Sequence, residues 1–325
     1  MSFRLVSREE VLEPYSALWN LEYPQDRRNP EEIGAGFANL KAGAFEENWV
    51  LEDDRAAVAV VSATDWEGKG EGITADVIMH PGHEAELFPI ARARAEGAAG
   101  RAGVSRLNTW VSDGMDRRIE LLQAAGYKNV QTVPVTRLDL EPFDPAPFIE
   151  RVPWLGEALD GPHASNGGLR LTTMAELEAE GVDWVPGLYA ATQEMIEDMP
   201  NPHPPQQMPI EQYRSMVRDP KNFDFEWMIA VMDGDRIVAY TRAAPSKSMP
   251  ELARTGVTGT VRTHRRQGLA TAVKVVAIMR LKEAGFKLLQ TDNDETNPMY
   301  QLNLQLGFTD RWKWMHWEKG LGGGE

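Results

Sequence analysis

At 325 residues the chain is long for one domain and comfortable for two, and its 42% apolar and 26% charged residues are those of an ordinary globular protein. There is no cysteine, which excludes disulfides, thiolate zinc sites and cysteine nucleophiles and makes a cytoplasmic location the default expectation. A formal net charge of −15 argues against a nucleic-acid partner; it serves solubility or draws in a cationic acceptor such as an amine. No run approaches the length of an apolar membrane span, and Met1-Ser2-Phe3-Arg4-Leu5 lacks the core of a signal peptide, so no membrane partner is expected.

In chain order, Phe3 to Val6 reads as an opening strand and Arg8 to Trp19 as a helix. Trp49 to Val61 reads as two strands turning at Asp53-Asp54, and Ile73 to Met79 as another strand. The alanine-rich stretch Glu84 to Ala99 is a helix, Arg106 to Val111 a strand, Arg117 to Ala125 a helix ended by Gly126, and Val130 to Leu140 a closing strand. These elements form a first unit, residues 1–145. Residues 146–168, with Pro147, Pro153, Pro162, Gly161, Gly167 and Gly168, read as a linker, with room for a short helix around Phe148 to Leu159.

The second unit, residues 169–325, repeats the order of the first. Leu169 to Thr172 matches Phe3 to Val6, and a hairpin turning at Asp233-Gly234 matches the Trp49 hairpin. Gly285 to Thr291 matches Gly103 to Thr109, and Leu306-Gly307-Phe308 matches Ala125-Gly126-Tyr127. The offset, 166 at the opening strand, stays at about 180 from the hairpin onward, which argues for duplication of one mixed α/β domain. Arg311 to Trp317 alternates like a final strand, and its aromatic residues serve core or interdomain packing or ligand stacking.

The second unit carries one stretch that its first copy lacks. From Thr258 to Thr263 the β-branched residues suit a strand; from Leu269 the apolar positions Leu269, Ala272, Val273, Val276 and Met279 recur at helical spacing up to Gly285. Arg265, Arg266, Gln267 and Gly268 lie between. A helix start offers unpaired N–H groups and a partial positive charge, Gly268 and Ala270 let an anion approach the backbone, and the arginines suit phosphate. Neither Gly-x-x-x-x-Gly-Lys nor Gly-x-Gly-x-x-Gly is present. The corresponding stretch of the first unit, Val77 to Leu87, has lost the arginines, and its Glu84 and Glu86 repel phosphate.

Arg265-x-x-Gly268-x-Ala270 after a strand resembles the acyl-CoA signature of the GNAT acyltransferase superfamily. Thr291-Asp292-Asn293, Asn297-Pro298-Met299 and Asn303-x-x-Leu306-Gly307-Phe308 resemble the ending of tandem-domain members, distantly those like mycothiol synthase. The resemblance implies a mixed α+β fold: two tandem GNAT domains, each a mostly antiparallel sheet flanked by helices. It implies transfer of an acetyl group from acetyl-CoA to a small, cationic amine by the C-terminal unit, the N-terminal unit being a degenerate copy that is structural or closes one wall of the acceptor site; the alternative is a non-catalytic acyl-CoA sensor or scaffold. A small-molecule acceptor, a monomer or homodimer and no metal are expected, since Asp292 to Glu295 lacks the EF-hand spacing.

The cofactor residues implied are Thr260, Val261, Arg262, Arg265, Arg266, Gln267, Gly268, Leu269, Ala270, Thr271, Asn297 and Asn303. The family commonly places a tyrosine acid four residues before the Gly-Phe pair; here that position is Asn303. Tyr300, one turn earlier, serves as substitute acid or as packing, and Glu251 as base or as a loop carboxylate. His264 touches phosphate or covers the helix start, and the loop Pro200 to Pro205 borders the acceptor.

Overall fold

The computed structural model describes residues 2–37, 40, 43–53, 56–152, 155–156, 165–166, 168–203, 207–219 and 223–322. The first half holds β1 (Arg4–Val6), α1 (Arg8–Glu22), α2 (Pro30–Phe37), β2 (Glu46–Asp53), β3 (Ala56–Thr64), β4 (Gly72–Met79), α3 (Glu84–Ala102), β5 (Arg106–Ser112), α4 (Asp116–Ala124) and β6 (Lys128–Asp139). After α5 (Ala146–Arg151) and β7 (Ser165–Asn166) come β8 (Leu169–Thr173), α6 (Met174–Ala179), α7 (Val185–Glu197), α8 (Ile210–Val217), β9 (Met228–Asp233), β10 (Arg236–Pro245) and β11 (Leu252–Thr260). The chain closes with α9 (Leu269–Glu283), β12 (Leu288–Asp292), α10 (Pro298–Gln305) and β13 (Thr309–Gly320). Asp54 of the first expected turn, and the expected helix beyond Gly156, lie outside the described residues.

Local chemistry accounts for the element ends. Ser7 and Thr173 each form a reciprocal capping box, with Glu10 and Glu176, at the starts of α1 and α6. Asn297 accepts the Met299 N–H at the start of α10, and Gly103 closes α3 in the left-handed conformation.

The strands form one sheet in the order β1-β2-β3-β4-β5-β13-β6-β12-β11-β10-β9-β8-β7. Each half therefore ends in the other: β13 runs antiparallel to β5 from Trp314↔Ser112 to Gly320↔Arg106, and β6 runs antiparallel to β12 from Leu288↔Asp139 to Asp292↔Val135. β6 and β13 pair with each other at the centre. The exchange buries large aromatics across the halves. Trp314 lies 4.9 Å from the ring of Tyr23, the residue that follows α1, and Trp317 is 3% exposed in the core beneath α3. An indole buried this way is worth about 2–3 kcal/mol.

Alternate residues of β2 and β3 feed opposite faces. Trp49, Leu51 and Val61 pack toward α3, while Val50 and Val60 pack toward α1. The largest core belongs to the second half and includes Phe148, Val152 and Leu155 from the connecting segment. Among the described residues no helix is long and apolar enough to cross a membrane.

Candidate active site

β11 pairs with β12 only from Leu252↔Leu288 to Arg254↔Gln290, in parallel; beyond Arg254 the two strands part. On its other side β11 stays bonded to β10 as far as Thr260↔Ala239. The register slips between Thr241 and Ala243, so that Arg242 stands opposite both Gly256 and Val257, a bulge in β11 beside the opening. Among the described residues no side chain bonds the backbone of Thr255 to Gly259, which leaves a strand edge open to an extended amide-bearing ligand.

At the end of β11 the chain makes a short 3-10 turn, Arg262–His264, and enters α9 through two left-handed residues, Arg266 at φ 62° and Gly268 at φ 77°. The amides of Arg266, Gln267, Gly268, Leu269, Ala270 and Thr271 have no protein acceptor among the described residues; the first helical bond is Ala272 N–H to the Gly268 carbonyl at 2.9 Å. Six unpaired donors in succession, bent by two left-handed residues and standing on a helix start, line a concavity whose chemistry suits an anion. A Cβ on Gly268 would lie 2.6 Å from Val152 Cγ2, so the connecting segment fixes this position as glycine by contact as well as by φ.

The two flanking arginines are engaged elsewhere. Arg262 bonds Asp198 at 2.7 and 3.0 Å and Glu197 at 3.1 Å, and its amide donates to Glu194. Arg265 bonds Asp198 and donates to the Thr260 carbonyl at 3.2 Å. These pairs relieve three carboxylates crowded at the C-terminal end of α7, where the helix dipole disfavours them. Arg262 and Arg265 hold the Asp198 carboxyl down to about 2. Arg266 is exposed and makes no ion pair among the described residues. His264 sits between Asp233, at 3.1 Å, and Thr263, at 2.9 Å.

The first half has the same split and fills it. β4 pairs with β5 only from Gly72↔Arg106 to Thr74↔Asn108. Beyond that point Thr109 donates to the Ala75 carbonyl at 2.8 Å, Arg118 to the Val77 carbonyl at 3.0 Å, and the Met79 amide to Glu22 at 3.1 Å. The strand edge is thus satisfied by the protein's own side chains, and α3 opens with Glu84 and Glu86 where α9 opens with none.

A cavity of about 620 Å³ lies between the halves. Gly256 and Val257 of the bulge, Tyr240 and Arg242 of β10, and Thr192 and Tyr213 of α7 and α8 form one side; Trp66, Glu67, Asn108, Trp110 and His316 form the other. Thr192 joins the Tyr213 and Tyr240 hydroxyls at 3.0 and 2.9 Å, and burial pushes Tyr213 up to about 12. Opposite, Arg106 is shared by Glu67, at 2.6 Å, and Glu318, at 3.6 Å, and Glu318 also holds His203. His316 stacks on Trp110 with ring centroids 4.4 Å apart, stands edge-on to His203 and is 6% exposed; neither ring nitrogen has a protein partner. Burial, then His203, holds its pKa down to about 4, so it is uncharged at neutral pH.

Asn303 is fully buried: its amide donates to Asn293 at 2.6 Å, and its carbonyl oxygen has no partner. Asn297 is used as the cap of α10. Tyr300 donates its proton to Asp310 on β13, at 3.0 Å, and does not line the cavity. Glu251 is exposed at the start of β11, roughly 20 Å along the strand from Val257. The structure brings neither to the cavity.

Among the polar groups of the cavity, His203 falls in the loop expected to border the acceptor and His316 in the strand offered for ligand stacking, while no motif marks Arg242. His316 follows Trp312 and Trp314 at two-residue spacing, an imidazole in an aromatic series, and Arg242 is a lone charge inside the apolar run Ile237 to Ala244.

This chain has the fold of the tandem GNAT proteins, with the strand split present in both halves and the amide-lined turn in the second. A tandem GNAT protein from the clavulanic acid biosynthesis pathway, solved without AcCoA, superposes with a TM-score of 0.71 at 19% identity, covering 100% of this chain and 99% of its own. A GCN5-related N-acetyltransferase from Sphaerobacter thermophilus gives 0.68 at 15% identity over 99% and 97%. The N-myristoyltransferase of Saccharomyces cerevisiae gives 0.58 at 11% over 98% and 80%. No family model matches the sequence, and no curated protein matches it.

Proposed function

We propose that this protein is an N-acyltransferase that moves an acetyl group from acetyl-CoA to a small amine, using one cofactor site in the second half of the chain. The observation that carries this reading is the run of six unpartnered amides from Arg266 to Thr271 at the end of a strand whose neighbouring edge is open. The pyrophosphate fits those amides, with Arg266 as the available cation; the pantetheine amides fit the free edge of β11; the thioester then reaches the bulge at Gly256 and Val257, where the cavity begins. In this reading residues 1–145 are a degenerate copy that closes the acceptor cavity, 146–168 connect the copies, and 169–325 bind the cofactor.

The chemistry is direct attack. The neutral amine nitrogen adds to the thioester carbonyl carbon, the C–N bond forms, the C–S bond breaks, and the proton shed by the acylated nitrogen passes to the departing thiolate, giving the amide and free CoA. A β11 N–H polarises the carbonyl, and positioning supplies much of the rate. The ammonium form is drawn to the wall where Glu67 and Glu318 share one guanidinium. Its proton goes to the imidazole pair: His316 presents unpartnered nitrogens, and His203, held by Glu318, passes the proton toward solvent. Tyr300 and Glu251 take no part in this scheme.

Calorimetric titration with acetyl-CoA, followed by an amine-panel assay for CoA release, tests the reading. One site per chain is expected, weakened at least tenfold by Arg266→Glu with Thr271→Glu; position 266 is exposed and position 271 half-buried in the first turn of α9, where a glutamate suits the helix start and repels phosphate. No binding by the native protein would overturn the reading. Binding with no release for any amine would favour the sensor alternative.

A further inference from the structure

The charged groups on the cavity wall are matched, with one exception. Glu67 is held by Arg106, Glu197 by Arg262, and His203 by Glu318. Arg242 has no carboxylate partner among the described residues, and its Nε is buried without any acceptor. Its guanidinium lies 4.4 Å over the Phe223 ring, between the main cavity and a smaller one of about 280 Å³. The carboxylates across the smaller cavity are committed as well: Glu31 to Lys247, and Glu32 to Ser246, Ser248 and Arg254. Space for the guanidinium exists because position 256 is glycine; a Cβ there would lie 2.7 Å from Arg242 Nε.

A cation removed from water without a counterion is costly, and a partner supplied later by a ligand recovers that cost. We propose that Arg242 is the receptor for a carboxylate on the acceptor, so that the substrates are amino-carboxylates with an apolar body. One planar guanidinium matches one monoanionic, planar carboxylate in a fork. A dianionic phosphoryl group would leave a net charge among Met208, Met216 and Phe223, which form the apolar surround. Burial pushes the Arg242 pKa below its usual value, against the pull of Tyr240 and Tyr213, as expected of a site waiting for its anion. Arg242 stands across the bulge from Gly256 and Val257, which places the carboxylate next to the point where the thioester would be presented. The inference names the substrate class of the acyltransferase reading and rests on it.

The test is calorimetry with 3-phenylpropanoate and its uncharged analogue 3-phenylpropanamide, on the full chain and on Arg242→Gln and Arg242→Lys, with acetyl-CoA titrated into the same samples. The carboxylate is expected to bind at least tenfold more tightly than the amide. Arg242→Gln should erase the difference, Arg242→Lys should keep part of it, and acetyl-CoA affinity should stay unchanged in both variants, which also reports an intact fold. Equal binding of the two probes, binding of neither, or a preference that survives Arg242→Gln would overturn the proposal while leaving acetyl-CoA binding as it stands. A carboxylate preference without acetyl-CoA binding would instead overturn the transferase reading and leave Arg242 as a carboxylate site.

Discussion

The Arg118 guanidinium lies against the Glu22 carboxylate inside the split between β4 and β5, and both side chains are 2% exposed or less. The pair occupies the strand edge that its counterpart on β11 leaves open. Removing one member leaves the other charge buried alone, so Arg118→Ala should cost about 3–5 kcal/mol of unfolding free energy. Replacing both, Glu22→Leu with Arg118→Met, should cost far less, because burying the pair is itself expensive. Urea unfolding of the two variants checks the order. Acetyl-CoA stoichiometry should remain one per chain in the double variant, since α3 keeps its acidic first turn.

Arg266 is the one non-glycine residue in the left-handed region among the described residues. Arg266→Gly should raise stability by about 1 kcal/mol through relief of that conformation, while weakening acetyl-CoA binding severalfold through loss of the charge. Stability and affinity moving in opposite directions would mark the strain as serving the ligand. Chemical denaturation and calorimetry on the same preparation read both.

The parts of the molecule legible in the sequence are those written by neighbouring residues. The order of strands and helices, the glycine-ended helices and the turn from Arg265 to Ala270 all follow from local spacing. The exchange of β6 and β13 does not, because alternation tells which face of a strand is buried and not which strand lies beside it. Tyr300 sits one helical turn from Asn303 as its spacing demands, yet its hydroxyl donates a hydrogen bond to Asp310 on β13. Arg262 and Arg265 are basic in the expected place, but the carboxylates at the end of α7 claim them. The cavity draws its walls from residues 66 to 316, so no single stretch announces it.

Lys274 of α9 is 3% exposed and lies 5.4 Å from the Phe308 ring. Burial alone lowers its pKa from 10.5 to about 7. The unfolded chain therefore holds this proton more tightly between pH 7 and 10.5, so stability rises with pH across that window, and the full penalty is present below it. At pH 7, Lys274→Met should stabilise the protein by a few kcal/mol, at most about 5. The advantage over the native protein should shrink as pH rises toward 10. Guanidinium unfolding at the two pH values measures it, and a gain independent of pH would show that packing, not charge, is responsible.

His316 works in the same direction over a lower range. Its folded pKa of about 4 lies below the ordinary 6.5, so the unfolded chain binds the extra proton between those values. Stability attributable to His316 is intact above pH 6.5 and is lost as pH falls toward 4, by about 3 kcal/mol in all. His316→Phe keeps a flat ring against Trp110 and removes the proton. The variant should track the native protein from pH 7 to 9 and exceed it increasingly from pH 6.5 to 4.5, read as the difference in melting temperature. If His316 also takes the acceptor's proton, His316→Phe should lower kcat for acyl transfer at every pH while acetyl-CoA affinity holds. A variant that changes the acid limb of stability but not kcat would leave His316 as a packed ring and move the proton transfer to His203 and Glu318.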